Sequence, residues 1–492
     1  MSVVAALLLI IPFLAGLASF AAPPRPGQAL TAASGVASFG LVLALIPDAS
    51  RRSSAYFGFI RVDALSVVFL LATSFLYATV AIYSIGYLRS GQDVSARYTR
   101  RLSLGLNLFA WSMLAAPLMS NLALLWVAVE VTTVISALLV AIEGTDGAAE
   151  AAWKYILIAS AGLSIALLGT IFMYYAGAQV LGPHYSMAFA PLLQSAHHLP
   201  ITPVRIAFVL AVLGFGTKVG LFPVHTWLPD AHSEAPTPVS ALLSGSLLAV
   251  SFYAILRFYQ VALAALGPRF PRDVLLVFGV ATLLLAALYL LDQRDYKRLL
   301  AYSSMEHMGI LAIGVSFGAP IALAGVLLHV LAHAAAKGNA FMGSGVLLRK
   351  FGSKRISSVR GGLDLLPWSG PLFLAAILAL CAMPPFGIFR SEFEIVRGGL
   401  ATDANVPAVI LVVLVTVAFL GLTLATNRMM LSPPSHPPGQ EGDPVLTRGE
   451  PSAWMVVPVA VGLVALLVLG LHPPGELTGL LARAVAQLGG RA

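Results

Sequence analysis

The sequence predicts an all-α polytopic membrane protein of about 14 transmembrane helices. Two observations carry this. The chain of 492 residues is 59% hydrophobic and only 10% charged, with mean hydropathy +0.89, whereas soluble domains carry about 25% charge. Its apolar residues also fall in runs of about 20, the length of a helix that crosses a ~30 Å hydrocarbon layer. The runs lie at 2–21, 29–47, 63–87, 102–119, 121–142, 153–176, 204–222, 237–262, 273–291, 299–317, 319–347, 367–388, 406–431 and 453–471. They form one membrane domain over 1–492, with helices 1–3 in 1–100, helices 4–8 in 101–265, helices 9–13 in 266–431, and a loop, helix 14 and a short tail in 432–492.

The first run has no basic leader and no small-residue cleavage site followed by polar sequence, so it is read as a transmembrane helix rather than a signal peptide. The fifth, LLWVAVEVTTVIS, holds Glu130 near its middle, and Lys154 opens the sixth in AAWKYILIAS. The seventh carries Lys218 and runs into GTKVGLFPVHTWLPDAHSEAPTPVSALLSG, where Pro223 removes a helix hydrogen bond five residues after the lysine. Broken helices at membrane depth survive only where protein or water satisfies the freed backbone groups. His225, Asp230 and His232 follow the break and are expected to form a water-exposed mouth.

The tenth run follows Lys297 in DYKRLLAYSSMEHMG and carries Glu306 and His307 about two turns in, expected to connect the two halves. The eleventh, VLLHVLAHAAAKGNAF, spaces His329, His333 and Lys337 four residues apart, so all three share one face about 6 Å apart along the axis. The twelfth is interrupted by Pro384 and Pro385 shortly before Glu392. Paired interruptions mark internally repeated transporters, with the ion site at the break. Here the repeats cover helices 4–8 and 9–13.

Net charge is +8. Alternate loops hold sixteen Lys and Arg on one side, Arg349, Lys350, Lys354, Arg355 and Arg360 among them, against nine on the other, which include Arg257 and Arg491. Cytoplasmic loops are enriched in these residues, so both termini are expected outside a cell inner membrane. Topology explains the basic excess, and nucleic-acid binding is not expected. Cys381 is the only cysteine, which excludes internal disulfides and an iron–sulfur cluster ligated by this chain alone. No Gly-rich phosphate loop follows a plausible strand. No cofactor and no metal is expected in this chain.

A charge at the centre of a membrane helix costs ~2.5–3.5 kcal/mol even on insertion scales and normally faces a protein interior or a water path. Glu130 and Lys218 are the preferred pair, because an opposite charge favours both ionised forms; a static bridge that only fixes packing is the rival. The His329–His333–Lys337 stripe suits proton transfer, since histidine titrates near neutral pH. Paired histidines at i and i+4 also suit a shared metal ion, but the nearest carboxylate, Glu306, is on another helix and no HExxH pattern exists. Structural histidines at a helix interface remain a third reading. Glu392 either serves at its break or pairs locally with Arg390, and Lys154 and Lys297 either join the path or anchor the interface.

KVGLFPVHTWLPDAHSEAPTPVSALLSG, DYKRLLAYSSMEHMGIL and MPPFGIFRSEF resemble the antiporter-like membrane subunits shared by respiratory complex I, group 4 membrane-bound hydrogenases and Mrp sodium/proton antiporters. The resemblance covers about residues 60–430. SSMEHMG and EAPTPVSALLSG are more similar to hydrogenase-4 component F than to the complex I members. It implies fourteen helices with two inverted five-helix repeats and broken helices 7 and 12. By motif position it implies roles for Glu130 as the fifth-helix glutamate, Lys154 as a sixth-helix lysine, Lys218 as the broken-helix lysine and Glu392 as the twelfth-helix acid. His329, His333 and Lys337 match the polar face of the eleventh helix. One departure is Ala249 in LLSGSLLAVSFYAILRF, where complex I relatives carry a lysine or histidine; only Ser244, Ser246 and Ser251 are near. The tail of about twenty residues also lacks the long lateral helix of the largest relative.

The expected function is proton translocation within a [NiFe]-hydrogenase-type or complex I-type oxidoreductase. Protons enter from the cytoplasm, dwell on Lys218, pass His329, His333 and Lys337, and leave near Glu392. The partners implied are other antiporter-like subunits, the lipid bilayer and a peripheral redox arm of [NiFe]-like and iron–sulfur subunits. An Mrp-type sodium/proton module and a non-conducting scaffold are the rivals.

Overall fold

The computed structural model describes residues 2–91, 94–433 and 447–489; Arg491 lies outside the described residues. The chain opens with α1 (Ser2–Ala21) and α2 (Pro24–Ala49). A small antiparallel hairpin, β1 (Ser54–Tyr56) and β2 (Ile60–Val62), sets Ser54 opposite Val62 and leads to α3 (Ala64–Arg89). Asp63 starts α3 by accepting the Ser66 amide while the Ser66 hydroxyl accepts the Asp63 amide, a capping box that satisfies two orphan donors.

Next come α4 (Ala96–Ala115), α5 (Leu122–Val140), α6 (Asp146–Leu181), α7 (Phe189–Gln194) and α8 (Ile201–Val219). The expected first break follows α8: the chain turns at Gly220, whose φ of +86° favours glycine, and resumes as α9 (Trp227–Glu234) and α10 (Thr237–Leu242). A π-helical turn at Leu243–Leu247 joins α10 to α11 (Leu248–Leu266). Then follow α12 (Arg269–Leu290), α13 (Tyr296–Phe317), α14 (Pro320–Phe351) and the one-turn α15 (Gly362–Leu365). The second break separates α16 (Ser369–Leu380) from α17 (Gly387–Ala401), and α18 (Asn405–Met430), α19 (Ala453–Leu471) and α20 (Gly475–Gln487) complete the described chain.

Among the described residues, eleven helices are long and apolar enough to cross a membrane. Each of the fourteen apolar runs overlaps a helix, but α4, α13 and the halves of the second broken helix fall outside that set. The reason is polarity and length: α4 carries Arg97, Arg100 and Arg101, α13 carries Lys297, Arg298 and Glu306, and α16 has 12 residues.

Burial sorts the helices into an axis and a rim. The apolar windows of α3, α10–α11 and α14 are 89%, 100% and 89% buried, whereas those of α1 and α18 are 28% and 33% buried. The buried group, which holds the polar stripe of α14, forms the axis, and the open group, with mean hydropathies of 2.6 and 2.8, faces lipid. α14 lies against α3, α10, α13, α16, α17 and α19, which brings both breaks towards one central helix. Close packing at the rim uses small residues: a Cβ on Gly214 of α8 would meet the Ala166 backbone of α6 at 2.4 Å.

Arg257 is a correction to the loop count. It sits inside α11 with 1% exposure, and its Nη2 donates to Asp63 Oδ1 and Oδ2 at 2.7 and 2.8 Å. Tyr253 and Gln260 accept its other nitrogens at 2.9 Å, so its donors find partners without a loop.

Candidate functional site

Lys218 lies in the last turn of α8 with no exposed surface. An ammonium has three donors and no acceptor. Three oxygens of α5 receive them: Thr132 Oγ1 at 2.5 Å, Thr133 Oγ1 at 2.7 Å and the Val129 carbonyl at 3.2 Å. The break is pinned beside it, because Trp227 Nε1 of α9 donates to the Thr217 carbonyl at 2.8 Å. The Tyr155 ring of α6 lies 4.4 Å from that of Trp227, tilted by 31°, and its hydroxyl shares a 2.7 Å hydrogen bond with Ser136 on the same α5 face.

Among the described residues, Glu130 makes no hydrogen bond or salt bridge to Lys218. Glu130 Oε1 accepts from Ser160 of α6 at 3.2 Å, and Oε2 is buried with no hydrogen-bond partner. The cause is helical geometry. Val129, Thr132, Thr133 and Ser136 share the face towards Lys218, and a residue one position from Val129 is rotated by about 100°.

The water-exposed mouth is also corrected. His232 is fully buried, with Nδ1 2.8 Å from the Leu228 carbonyl and its ring between Trp227 and Phe341. His225 is 7% exposed. Asp230 alone of the three reaches the surface, where it binds Arg298 at 2.7 Å and Lys154 at 3.4 Å. Lys154 is 48% exposed and also pairs with Glu150 at 2.6 Å, so it lies off the buried set. Lys297 does the reverse: it is 1% exposed and donates to the Ser233 and Ala235 carbonyls at 3.0 and 2.6 Å. It lines a pocket of about 490 Å³ with Tyr87, Tyr98, Glu143, Glu234 and Lys354.

The departure at Ala249 lies just past the π-helical turn, a distortion common at functional sites. Ser244 in that turn is 2.7 Å from Ser304 of α13. Ser304 donates to the Leu300 carbonyl at 3.0 Å, and Lys337 Nζ donates to the same carbonyl at 3.0 Å. A serine pair thus ties the turn to the α14 stripe where a charged group was expected. Ser246 instead turns to Thr73 of α3 at 2.7 Å.

At the second break, histidines from two helices meet the twelfth-helix acid. His307 Nδ1 lies 3.1 Å from His329 Nε2 and 3.9 Å from Glu392 Oε1, and the His307 ring is 5.2 Å from that of His333. His329 Nδ1 is 2.9 Å from Ser391 Oγ. Both ring nitrogens of His333 and Nε2 of His307 are buried without a partner. Arg390 pairs with Glu394 at 3.1 Å, not with Glu392. Glu306 is 3% exposed and accepts from Ser303 at 3.2 Å. His307, His329 and Glu392 place three ligand atoms within 4.8 Å of one another, so the carboxylate that joins the histidine cluster is Glu392.

The sequence reading missed the neutral partners: Thr132 and Thr133 at Lys218, Ser304 opposite Ser244, and Ser391 behind His329. Thr132 and Thr133 do carry a signal, because Val129, Thr132, Thr133 and Ser136 recur at helical spacing. Ser391 carries none, since its contact depends on how α17 crosses α14.

Broken helices that bury lysines, histidines and a glutamate around one central helix define the class of a polytopic membrane protein with ionisable residues at its helix breaks. The chain belongs to the family described as NADH:quinone oxidoreductase/Mrp antiporter, TM, whose model matches residues 119–420. A hydrogenase-4 component F homolog of Methylacidiphilum infernorum is 36% identical over 369 residues, covering 73% of this chain and 76% of that protein. NADH-quinone oxidoreductase subunit N of Desulforudis audaxviator is 32% identical over 356 residues, covering 70% of this chain and 69% of that one. A chain in the archaeal membrane-bound sulfane sulfur reductase superposes with TM-score 0.86 at 20% identity, over 99% of this chain and 98% of that one. The protein is an antiporter-like membrane subunit of the complex I, group 4 hydrogenase and Mrp type.

Proposed function

We propose that this chain translocates protons within a membrane-bound [NiFe]-hydrogenase-type or complex I-type oxidoreductase, and that partner subunits supply all redox chemistry. One observation carries the reading: Lys218 is wholly buried at a helix break and is held by neutral oxygens rather than a fixed counter-ion. A lysine kept only for packing would be better served by a permanent carboxylate or an apolar side chain.

Protons enter from the cytoplasmic, basic-loop side, where Lys297 lines the polar pocket. They dwell on Lys218, pass through the Ser244–Ser304 contact to Lys337, His333, His307 and His329, and leave beside Glu392. Glu130 is the switch. Its approach to Lys218 favours the protonated ammonium and its withdrawal favours release. Helices 4–8 and 9–13 form two inverted repeats, fourteen helices cross the membrane, and both termini lie outside. The similarity to a hydrogenase-4 component F homolog supports the hydrogenase-type assembly.

Proteoliposomes carrying the assembled complex test this with a pH-sensitive dye. Proton uptake that follows electron donor and acceptor supports it. Sodium-dependent proton flux without redox substrates selects an Mrp-type module. Redox activity with no flux change on neutralising Glu130 and Lys218 selects a scaffold.

A further inference from the structure

We propose that His307, His329 and Glu392 form a binding site for a divalent transition-metal ion of the Zn²⁺ class, with His333 beside it. Three ligand atoms from three helices already converge, all within 4.8 Å of one another and all on buried residues. A tetrahedral zinc with bonds of about 2.0–2.2 Å sets its ligand atoms ~3.4 Å apart. The observed 3.1 Å between the histidine nitrogens and 3.9 Å from His307 Nδ1 to the carboxylate bracket that value.

The hydrogen bonds also set the protons. The Ser391 hydroxyl donates its one proton to the Ile388 carbonyl at 2.8 Å, so its oxygen accepts from His329 Nδ1 at 2.9 Å. His329 Nε2 is therefore bare and faces the cluster, and Ser391 orients the ring as outer partners of metal-bound histidines do. His307 Nδ1 then carries the proton shared with His329. For an ion to bind, that proton leaves Nδ1 and His307 takes one at Nε2, which has no partner. The His307 tautomer changes and the two histidines release no net proton, while any proton on Glu392 leaves as its carboxylate takes the ion. His333 lies beside the cluster with both ring nitrogens unpartnered.

Imidazole nitrogens with one carboxylate select zinc, cobalt, nickel or copper; magnesium and calcium require six or more oxygens. The site lies beside the second break, where Pro384 and Pro385 are exposed and the Glu392 side chain keeps 9% exposure. The binding itself rests on geometry alone. Its consequence rests on the proposed proton path: an ion there occupies His307, His329 and Glu392 together and stops transfer.

The test uses the purified, chelator-treated complex loaded with Zn²⁺ or Co²⁺. Elemental analysis should find about one more ion in wild type than in His329→Ala or Glu392→Gln, and Co²⁺ should give a tetrahedral visible spectrum with nitrogen ligation by X-ray absorption. Ser391→Ala, which keeps every ligand, should weaken binding ~10–100-fold, and it carries the test if the ligand variants fail to assemble. Equal ion content and affinity in all four proteins overturns the site. Ion bound as expected with redox-driven proton flux unchanged keeps the site and overturns the path through it.

Discussion

Lys218 and Lys154 are both lysines in helices of the first half, yet their surroundings separate them. Lys218 gives all three donors to α5 oxygens, while Lys154 meets Glu150 and Asp230 at the surface. Replacing Thr132 and Thr133 together by valine keeps the shape and removes two acceptors. Buried donors left unpaired cost ~1–3 kcal/mol each, so this variant should show a lower melting temperature and severalfold slower proton flux in vesicles. Lys154→Ala should leave flux unchanged in the same assay. The sequence shows which residues are charged and out of place in a membrane, and Lys218, His329, His333 and Glu392 are all legible that way. It does not show which way a side chain turns. One helical position separates Glu130 from the face that holds Lys218, and His232 reads as a mouth residue until Trp227 and Phe341 are seen around it.

The elements were largely legible because a membrane allows little else than helices of sufficient length. Apolar runs locate α1, α5 and α18 within a few residues, and prolines mark both breaks. Short pieces escape this logic. α9 and the π-helical turn lie inside one polar, proline-rich motif whose periodicity announces neither. Packing between elements depends on residues with no side chain to notice. Gly214 lets α8 approach α6 until a Cβ would collide with backbone. Overpacking costs ~1–3 kcal/mol or more, and backbone cannot yield as a side chain does. Gly214→Leu should therefore reduce the yield of folded complex and lower its melting temperature, with Gly214→Ala intermediate, as measured by size exclusion and thermal unfolding.

At the scale of the molecule, the proposed orientation puts the basic loops in the cytoplasm and the proposed path across the central helices. Cys381 is the only cysteine and is buried, which gives a quiet background for labelling. Ser357→Cys, in the basic loop, should react with an impermeant maleimide only from the cytoplasmic side, and His197→Cys only from outside; the reverse pattern inverts the orientation. Orientation rests on loop charges, and Arg257 shows their limit, since a buried partner in Asp63 removes a charge from the loops altogether. The central claim is that Lys218 holds the transported proton. Lys218→Met removes a buried charge whose hydrogen-bond partners are all neutral oxygens, so the complex should assemble and unfold at or above the wild-type temperature. Redox-driven proton uptake by proteoliposomes is the direct measurement: loss of uptake in the assembled variant is the expected result, and uptake equal to wild type at the same redox rate contradicts the account.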